Sequence, residues 1–183
     1  MRTSDLDILV IPGLGGSGPD HWQSRWEAKL STARRVELGD LDRPHLASWA
    51  GRIVEAVDNA ARPVVLVAHS LGVWAVAHGA GRFEAGRVRG ALLVAPPSAE
   101  GIRQFPQIDP AFVEFQPQRL DFPALLVASR NDSLAGEAQS RALAQALGAE
   151  FVDAGDSGHL NVDSGHGPWP EGLMRFGGFL KTL

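Results

Sequence analysis

The stretch Val64–Val76, with Pro63 before it, constrains this chain more than any other. Val64-Val65-Leu66-Val67 is an apolar, β-branched run that stops at Ala68-His69-Ser70-Leu71-Gly72. A run of small, helix-compatible residues, Val73 to Ala80, follows at once. That order predicts a strand, a tight turn and a helix, with a serine at the apex. The turn fits the pattern G-x-S-x-G, with Ala68 in place of the first glycine. A serine in so sharp a turn needs small residues two positions before and two after, and Ala68 and Gly72 meet that need. The turn lifts the hydroxyl above the sheet and sets the next backbone N–H at the start of a helix. The plainer alternative is a buried turn whose serine only caps the helix.

The rest of the chain bears on that choice. Leu6–Ile11 is a short continuous apolar run, as a buried parallel strand should be, and it ends in Pro12-Gly13-Leu14-Gly15-Gly16-Ser17-Gly18. So many glycines mark a backbone that approaches something closely. A phosphate cradle is a weak reading, because no G-K-[ST] follows and the spacing is not G-x-G-x-x-G. Pro19 suits the first turn of a helix carrying Trp22, Trp26 and Leu30 on one face. Arg35–Leu38 reads as a second strand, and Pro44 opens a helix with Leu46, Trp49, Ile53 and Val57 on one face. After the serine turn, Val88–Val94 reads as a fourth strand and Phe122–Ala128 as a fifth. Between them, Ala95–Asp121 is broken by Pro96, Pro97, Pro106, Pro110 and Pro117, with Phe105, Phe112 and Phe115 interspersed. It reads as a loop over the C-terminal ends of the strands. Glu137–Leu147 is a helix with Gly148 as its C-cap, Glu150–Asp153 a sixth strand, and Leu173, Phe176 and Leu180 mark a last helix. Strands alternating with helices predict an α/β fold, a parallel sheet with helices on both faces. Ligands in such sheets sit beyond the strands' C-terminal ends. The glycine loop, Ser70, Asp132 after strand five and His159 after strand six all fall there.

Composition narrows the classes. A length of 183 residues favours one domain, and 44% hydrophobic with 21% charged residues suits a globular chain. The formal net charge is -4, from 17 basic and 21 acidic residues without a basic cluster, so nucleic acid is not an expected partner. The absence of cysteine excludes disulfides, thiolate metal sites and a cysteine nucleophile, and suits a reducing cytosol. Asp5 and Asp7 interrupt the first apolar stretch, which therefore does not read as a secretion signal. No apolar run approaches the roughly 20 residues of a membrane span. The expected setting is cytoplasmic and away from membranes.

The chain resembles small, minimal α/β-hydrolases of the retinoblastoma-binding-protein-nine-like and YdeN-like serine hydrolase family. The residues carrying the likeness are Pro12-Gly13-Leu14-Gly15-Gly16 with Asp20-His21-Trp22, then His69-Ser70-Leu71-Gly72 and Asn131-Asp132. The more specific part is Gly158-His159-Leu160-Asn161, continuing to Ser164-Gly165-His166-Gly167-Pro168-Trp169-Pro170. The likeness covers essentially the whole chain and implies a six-stranded parallel sheet in the order 2-1-3-4-5-6. Larger relatives add two N-terminal antiparallel strands. Ala68 is the one departure from the elbow pattern.

Chemistry then suggests roles. A serine hydroxyl is too weakly acidic to attack unaided, so Ser70 needs a base, and His159 is the candidate. Asp132 would hold the imidazole in the right tautomer; the order Ser, Asp, His is the one expected for this fold. The N–H groups of Leu71 and Leu14 are candidate oxyanion donors. Each role has a competitor. Asp132 could instead cap the helix near Ser133, and Asp153 or Asp156 could orient the histidine. His21, His45, His69, His78 and His166 rival His159. A zinc pair of His159 and His166 lacks a third ligand. Gly13, His21, His166 and Trp169 are expected to contact substrate. The expected activity is hydrolysis of small esters, thioesters or amides through an acyl-enzyme, without cofactor or metal. Short acyl groups are expected to be preferred, because Ala95–Asp121 shows no long amphipathic helix. A C–C hydrolase or lyase on the same site, and a non-catalytic protein-interaction module, remain the alternatives.

Overall fold

A computed structural model describes residues 1–183. Its six strands are β1 (Asp7–Ile11), β2 (Ala33–Arg35), β3 (Val64–His69), β4 (Val88–Val94), β5 (Ala124–Ala128) and β6 (Glu150–Asp153). They form one sheet in the order β2-β1-β3-β4-β5-β6, and every pair is parallel. The helices are α1 (Trp22–Lys29), α2 (Leu46–Asp58), α3 (Leu71–Gly79), α4 (Ala99–Ile102), α5 (Ala111–Glu114), α6 (Glu137–Leu147) and α7 (Pro170–Leu180).

Alternation along the strands divides the core in two. Leu9, Ile11, Leu66, Ala68, Ala91, Leu93, Leu126 and Ala128 pack on one face with α2, α3 and α6. Ile8, Val65, Val67, Leu92, Val94, Leu125 and Val127 pack on the other with Trp22, Trp26, Phe176 and Leu180 of α1 and α7. Both faces are covered, which is why the central strands read as continuous apolar runs rather than alternating ones.

Several boundaries differ from expectation, β5 starting at Ala124 and α2 at Leu46 among them. β2 is Ala33–Arg35 rather than Arg35–Leu38. The chain peels away after Arg35, so Val36 makes one last bond to Val10 O (2.9 Å) and then fills the core with Leu38. α1 starts at Trp22, not near Pro19, because His21 is its N-cap. α3 starts directly at Leu71, since Ser70 alone makes the turn. Ala95–Asp121 is not wholly irregular: it contains the one-turn helices α4 and α5.

Two glycines let the glycine loop and the serine turn meet. A Cβ on Gly72 would lie 2.5 Å from Pro12 O and 2.8 Å from Ile11 Cγ2; a Cβ on Gly13 would lie 2.8 Å from Ser70 Cβ. Neither neighbour can yield, since one is backbone and the other is the turn itself. Gly72→Ala is expected to cost about 3 kcal/mol through overpacking. Urea unfolding should show this as a lower midpoint at unchanged slope; an unmoved midpoint would show that the two segments are not in contact.

Candidate active site

Ser70 follows β3 with φ 54 and ψ -124, a conformation that non-glycine residues rarely adopt. Such backbone strain costs on the order of 1–3 kcal/mol and persists only where the surroundings impose it. Here they do. Ser70 N–H donates to Val94 O on β4 (2.8 Å), and Gly72 is wedged against the end of β1. The turn presents Ser70 Oγ to a cleft at the C-terminal edge of the sheet.

Two loops bring partners to that hydroxyl. His159, in the loop after β6, places Nε2 2.9 Å from Ser70 Oγ. Its Nδ1 lies 2.8 Å from Asp132 Oδ2, on the loop after β5. The Asp132 side chain is 2% exposed and its other oxygen accepts from Leu134 N–H (2.9 Å). Asp132 does not cap a helix, since α6 begins at Glu137 with Gly136 as its N-cap; one oxygen closes a local turn and the other meets the histidine. Asp153 is engaged with Arg130, and Asp156 is exposed.

The His159 loop is fastened on both sides. Before it, Ser129 Oγ accepts from Ser157 N–H (2.8 Å) and Asn131 Oδ1 accepts from Gly158 N–H (2.7 Å). At and after it, His69 Nε2–H donates to His159 O (3.0 Å) and Trp22 Nε1–H to Leu160 O (2.9 Å). Leu160 is fully buried at φ 50. Fully buried Gln23 does similar work at the strand ends, where its Nε2 donates to Ile11 O (3.0 Å) and Val67 O (3.1 Å). Its Oε1 accepts from Ser17 Oγ (2.6 Å), which ties down the glycine loop. Of these residues, Trp22, His69, Asn131 and Leu160 fall within the motifs that carry the family likeness, whereas Ser129 and Gln23 gave no signal.

The cleft has a volume of about 360 Å³. One wall is hydrocarbon: Pro97, Ile102, Phe105, Ile108 and Leu134. The other is polar and glycine-rich, with Gly13, Leu14, Gly16 and His21, and Asn161 and Asp163 from the tail loop. In the glycine loop, Gly15 N–H donates to Leu41 O (2.8 Å) and Gly16 N–H to Gly13 O (3.0 Å), while Leu14 N–H has no acceptor within the protein. Leu71 also lines the cleft, and its N–H heads α3, where no carbonyl one turn back awaits it.

Two expected substrate contacts fall elsewhere. Trp169 is 5% exposed and packs with Trp22 and Trp26, ring centroids 5.0 and 6.0 Å away. It is a core side chain, held there by aromatic packing. His166 does not line the cleft either; it lies beside Ser164 Oγ (3.2 Å) and Trp169. Of the aromatic residues in Ala95–Asp121, Phe105 lines the cleft, Phe112 is in the core and Phe115 packs on His78. His45 is exposed near Asp109. No group of three or more His, Cys, Asp or Glu is placed to hold a metal ion. No helix is long and apolar enough to cross a membrane.

A family model described as Serine hydrolase matches residues 8–177. The chain belongs to the serine hydrolase family. No curated protein matches this serine hydrolase in sequence. Among solved structures it is similar to a protein described as a YdeN-like hydrolase from Pectobacterium atrosepticum. That likeness has 32% identity and a TM-score of 0.85, over 98% of this chain and 93% of the other. It also resembles the ydeN gene product of B. subtilis (19% identity, TM-score 0.76, 95% and 98% covered). A third likeness is to the esterase domain of a Rhodothermus marinus protein (20%, TM-score 0.64, 89% and 81% covered). The last two share the fold.

The cleft also fixes how the serine hydrolase responds to acid. Burial, with Arg35 and His159 nearby, pushes the His21 imidazole from its ordinary 6.5 down to about 4. Burial, then the His159 and His21 rings, holds His69 well below its ordinary value, against the opposing bond to His159 O. Above 6.5 both are neutral whether the chain is folded or not. As the pH falls below 6.5 the unfolded chain takes up protons that the fold refuses. Each histidine then removes up to about 1.4 kcal/mol per pH unit, for His21 until about pH 4. Urea unfolding at intervals from pH 8 to 5 should show stability flat at first and then falling, with a shallower fall in His21→Asn. A flat profile throughout would contradict the burial of both rings.

Proposed function

We propose that this serine hydrolase cleaves small carboxylic esters, with thioesters and amides as related substrates, through an acyl-enzyme on Ser70. The observation that carries the reading is the unbroken hydrogen-bonded run Asp132–His159–Ser70 opening on the cleft. Ser70 Oγ attacks the substrate carbonyl carbon and passes its proton to His159 Nε2. The N–H groups of Leu14 and Leu71 stabilise the oxyanion of the tetrahedral intermediate. The intermediate collapses, the C–O bond to the leaving group breaks, and His159 hands its proton to the departing oxygen. Water then attacks the acyl-serine with His159 again as base, and the acid leaves. Asp132 keeps the Nδ1–H tautomer and stabilises the imidazolium. The hydrocarbon wall of Pro97, Ile102, Phe105, Ile108 and Leu134 suits the acyl chain. A protein that served only to bind a partner would need no such run of three groups, and the strained serine would cost it stability for nothing. The fold alone does not choose a substrate.

With p-nitrophenyl butyrate, Ser70→Ala should lower kcat by roughly 10⁴ to 10⁶-fold with the fold intact. Asp132→Asn should lower it by about 10⁴-fold, because an amide favours the wrong tautomer. Near-normal turnover by a folded Ser70→Ala protein would overturn the mechanism.

Chain length offers a second test. Each methylene laid on a matching apolar wall adds about 0.8 kcal/mol. In a cleft of about 360 Å³, kcat/KM for p-nitrophenyl esters should climb through the first few carbons, level off, and fall well before palmitate. A steady climb to sixteen carbons would reveal a longer acyl channel.

A further inference from the structure

His21 is 5% exposed, belongs to neither relay nor core, and lines the polar wall of the cleft. Its local role fixes its chemistry. As N-cap of α1 its Nδ1 accepts from Gln23 N–H (3.2 Å), so Nδ1 carries no proton. The neutral ring must therefore bear its hydrogen on Nε2. That Nε2–H has no acceptor within the protein, yet it is not sealed in: the only such buried, partnerless side-chain atom is His78 Nδ1. Nε2 thus keeps solvent access on a ring that lines the cleft. Burial keeps the ring neutral down to about pH 4, so it is a fixed, uncharged donor under ordinary conditions.

Its place in the cleft says what it can meet. The His21 ring lies 4.8 Å from His69, and the His69 ring 5.0 Å from His159. His21 therefore stands one ring away from the group that would protonate a leaving group, and it lines the same cleft. Asp163 is the one carboxylate on the same polar side, and no lysine or arginine lines the cleft. An anionic leaving group would meet Asp163 with no cation in the lining to offset it, the nearby Arg35 being engaged by Glu27 and Ser17 O. A leaving group with a neutral oxygen would meet a ready donor.

We propose that His21 Nε2–H donates a hydrogen bond to a neutral oxygen on the substrate's leaving group, a few bonds beyond the scissile oxygen. The preferred substrates are then esters of oxygen-bearing alcohols, such as ethers or polyols, over esters of hydrocarbon alcohols. The inference rests on the hydrolase reading above and adds the leaving-group class to it. A site built around a buried donor discriminates against a ligand that leaves the donor unpaired.

The test compares 2-methoxyethyl butyrate with n-butyl butyrate, which share an acyl group and length and differ by one oxygen for one methylene. The ratio of their kcat/KM values is the readout, referred to the ratio for alkaline hydrolysis. The wild type should exceed the alkaline ratio by about tenfold or more. His21→Asn keeps a side chain able to cap α1 but shortens the reach, and should bring the ratio back to the alkaline value. A ratio unchanged in His21→Asn, or a wild-type ratio equal to the alkaline one, overturns the inference. Should the variant fail to fold, ¹⁵N NMR of the wild type decides: protonated Nε2 and unprotonated Nδ1 at His21 are expected, and the reverse tautomer overturns it. Labelling of Ser70 by a fluorophosphonate without discrimination between the esters sinks this inference alone. Absence of both labelling and turnover sinks the hydrolase reading with it.

Discussion

The backbone of the glycine loop after β1 lies directly against the serine turn after β3, and the rest of the site depends on that approach. There is no room for a Cβ at Gly13, where it would meet Ser70, or at Gly72, where it would meet Pro12 O. The glycines are therefore explained by contact between two chain segments rather than by flexibility. The same approach puts the unpaired Leu14 N–H and the helix-heading Leu71 N–H along one cleft, beside Ser70 Oγ. Parallel pairing of β1 with β3, in the register Ile11 to Ala68, delivers both segments to one edge of the sheet.

The histidine, by contrast, arrives on a loop, and loops need fastening before they can hold a side chain to a fraction of an ångström. Here four hydrogen bonds, from Ser129, Asn131, His69 and Trp22, hold consecutive residues from Ser157 to Leu160. Three come from other strand ends or from α1, which are anchored in the core, and Asn131 sits beside Asp132. Neutral His69 suits this work, since a charge so deeply buried beside His159 would be costly.

What the sequence made legible was what local pattern controls. The alternation of strands and helices foretold the parallel sheet, and the family likeness implied its strand order. The small residues around Ser70 foretold the turn, and the positions of Asp132 and His159 after strands foretold that they would share an edge with it. The structure brings these three within hydrogen-bond distance. What stayed hidden depends on partners far away in the chain. Ser129 meets Ser157 28 residues on, and His69 meets the carbonyl of a residue 90 away. Trp169 and His166 were misplaced for the same reason. The tail loop runs near the cleft, but Trp22 and Trp26 draw Trp169 into the core and leave His166 beside it. β2 was displaced because Val36 and Leu38, apolar enough for a strand, are buried after the chain has left the sheet.

The central claim is that an acyl group passes through Ser70. Acid quenching during turnover of p-nitrophenyl butyrate, followed by mass spectrometry of the intact chain and its peptides, tests that claim most directly. The account predicts a mass increase of one butyryl group, on the peptide carrying Ser70 and lost in Ser70→Ala. In His159→Gln both formation and loss of the adduct should slow, because Ser70 and the attacking water then lack their shared base. A butyryl group found reproducibly on another residue, or full turnover with no adduct at any quench time and an undiminished rate in Ser70→Ala, would contradict it.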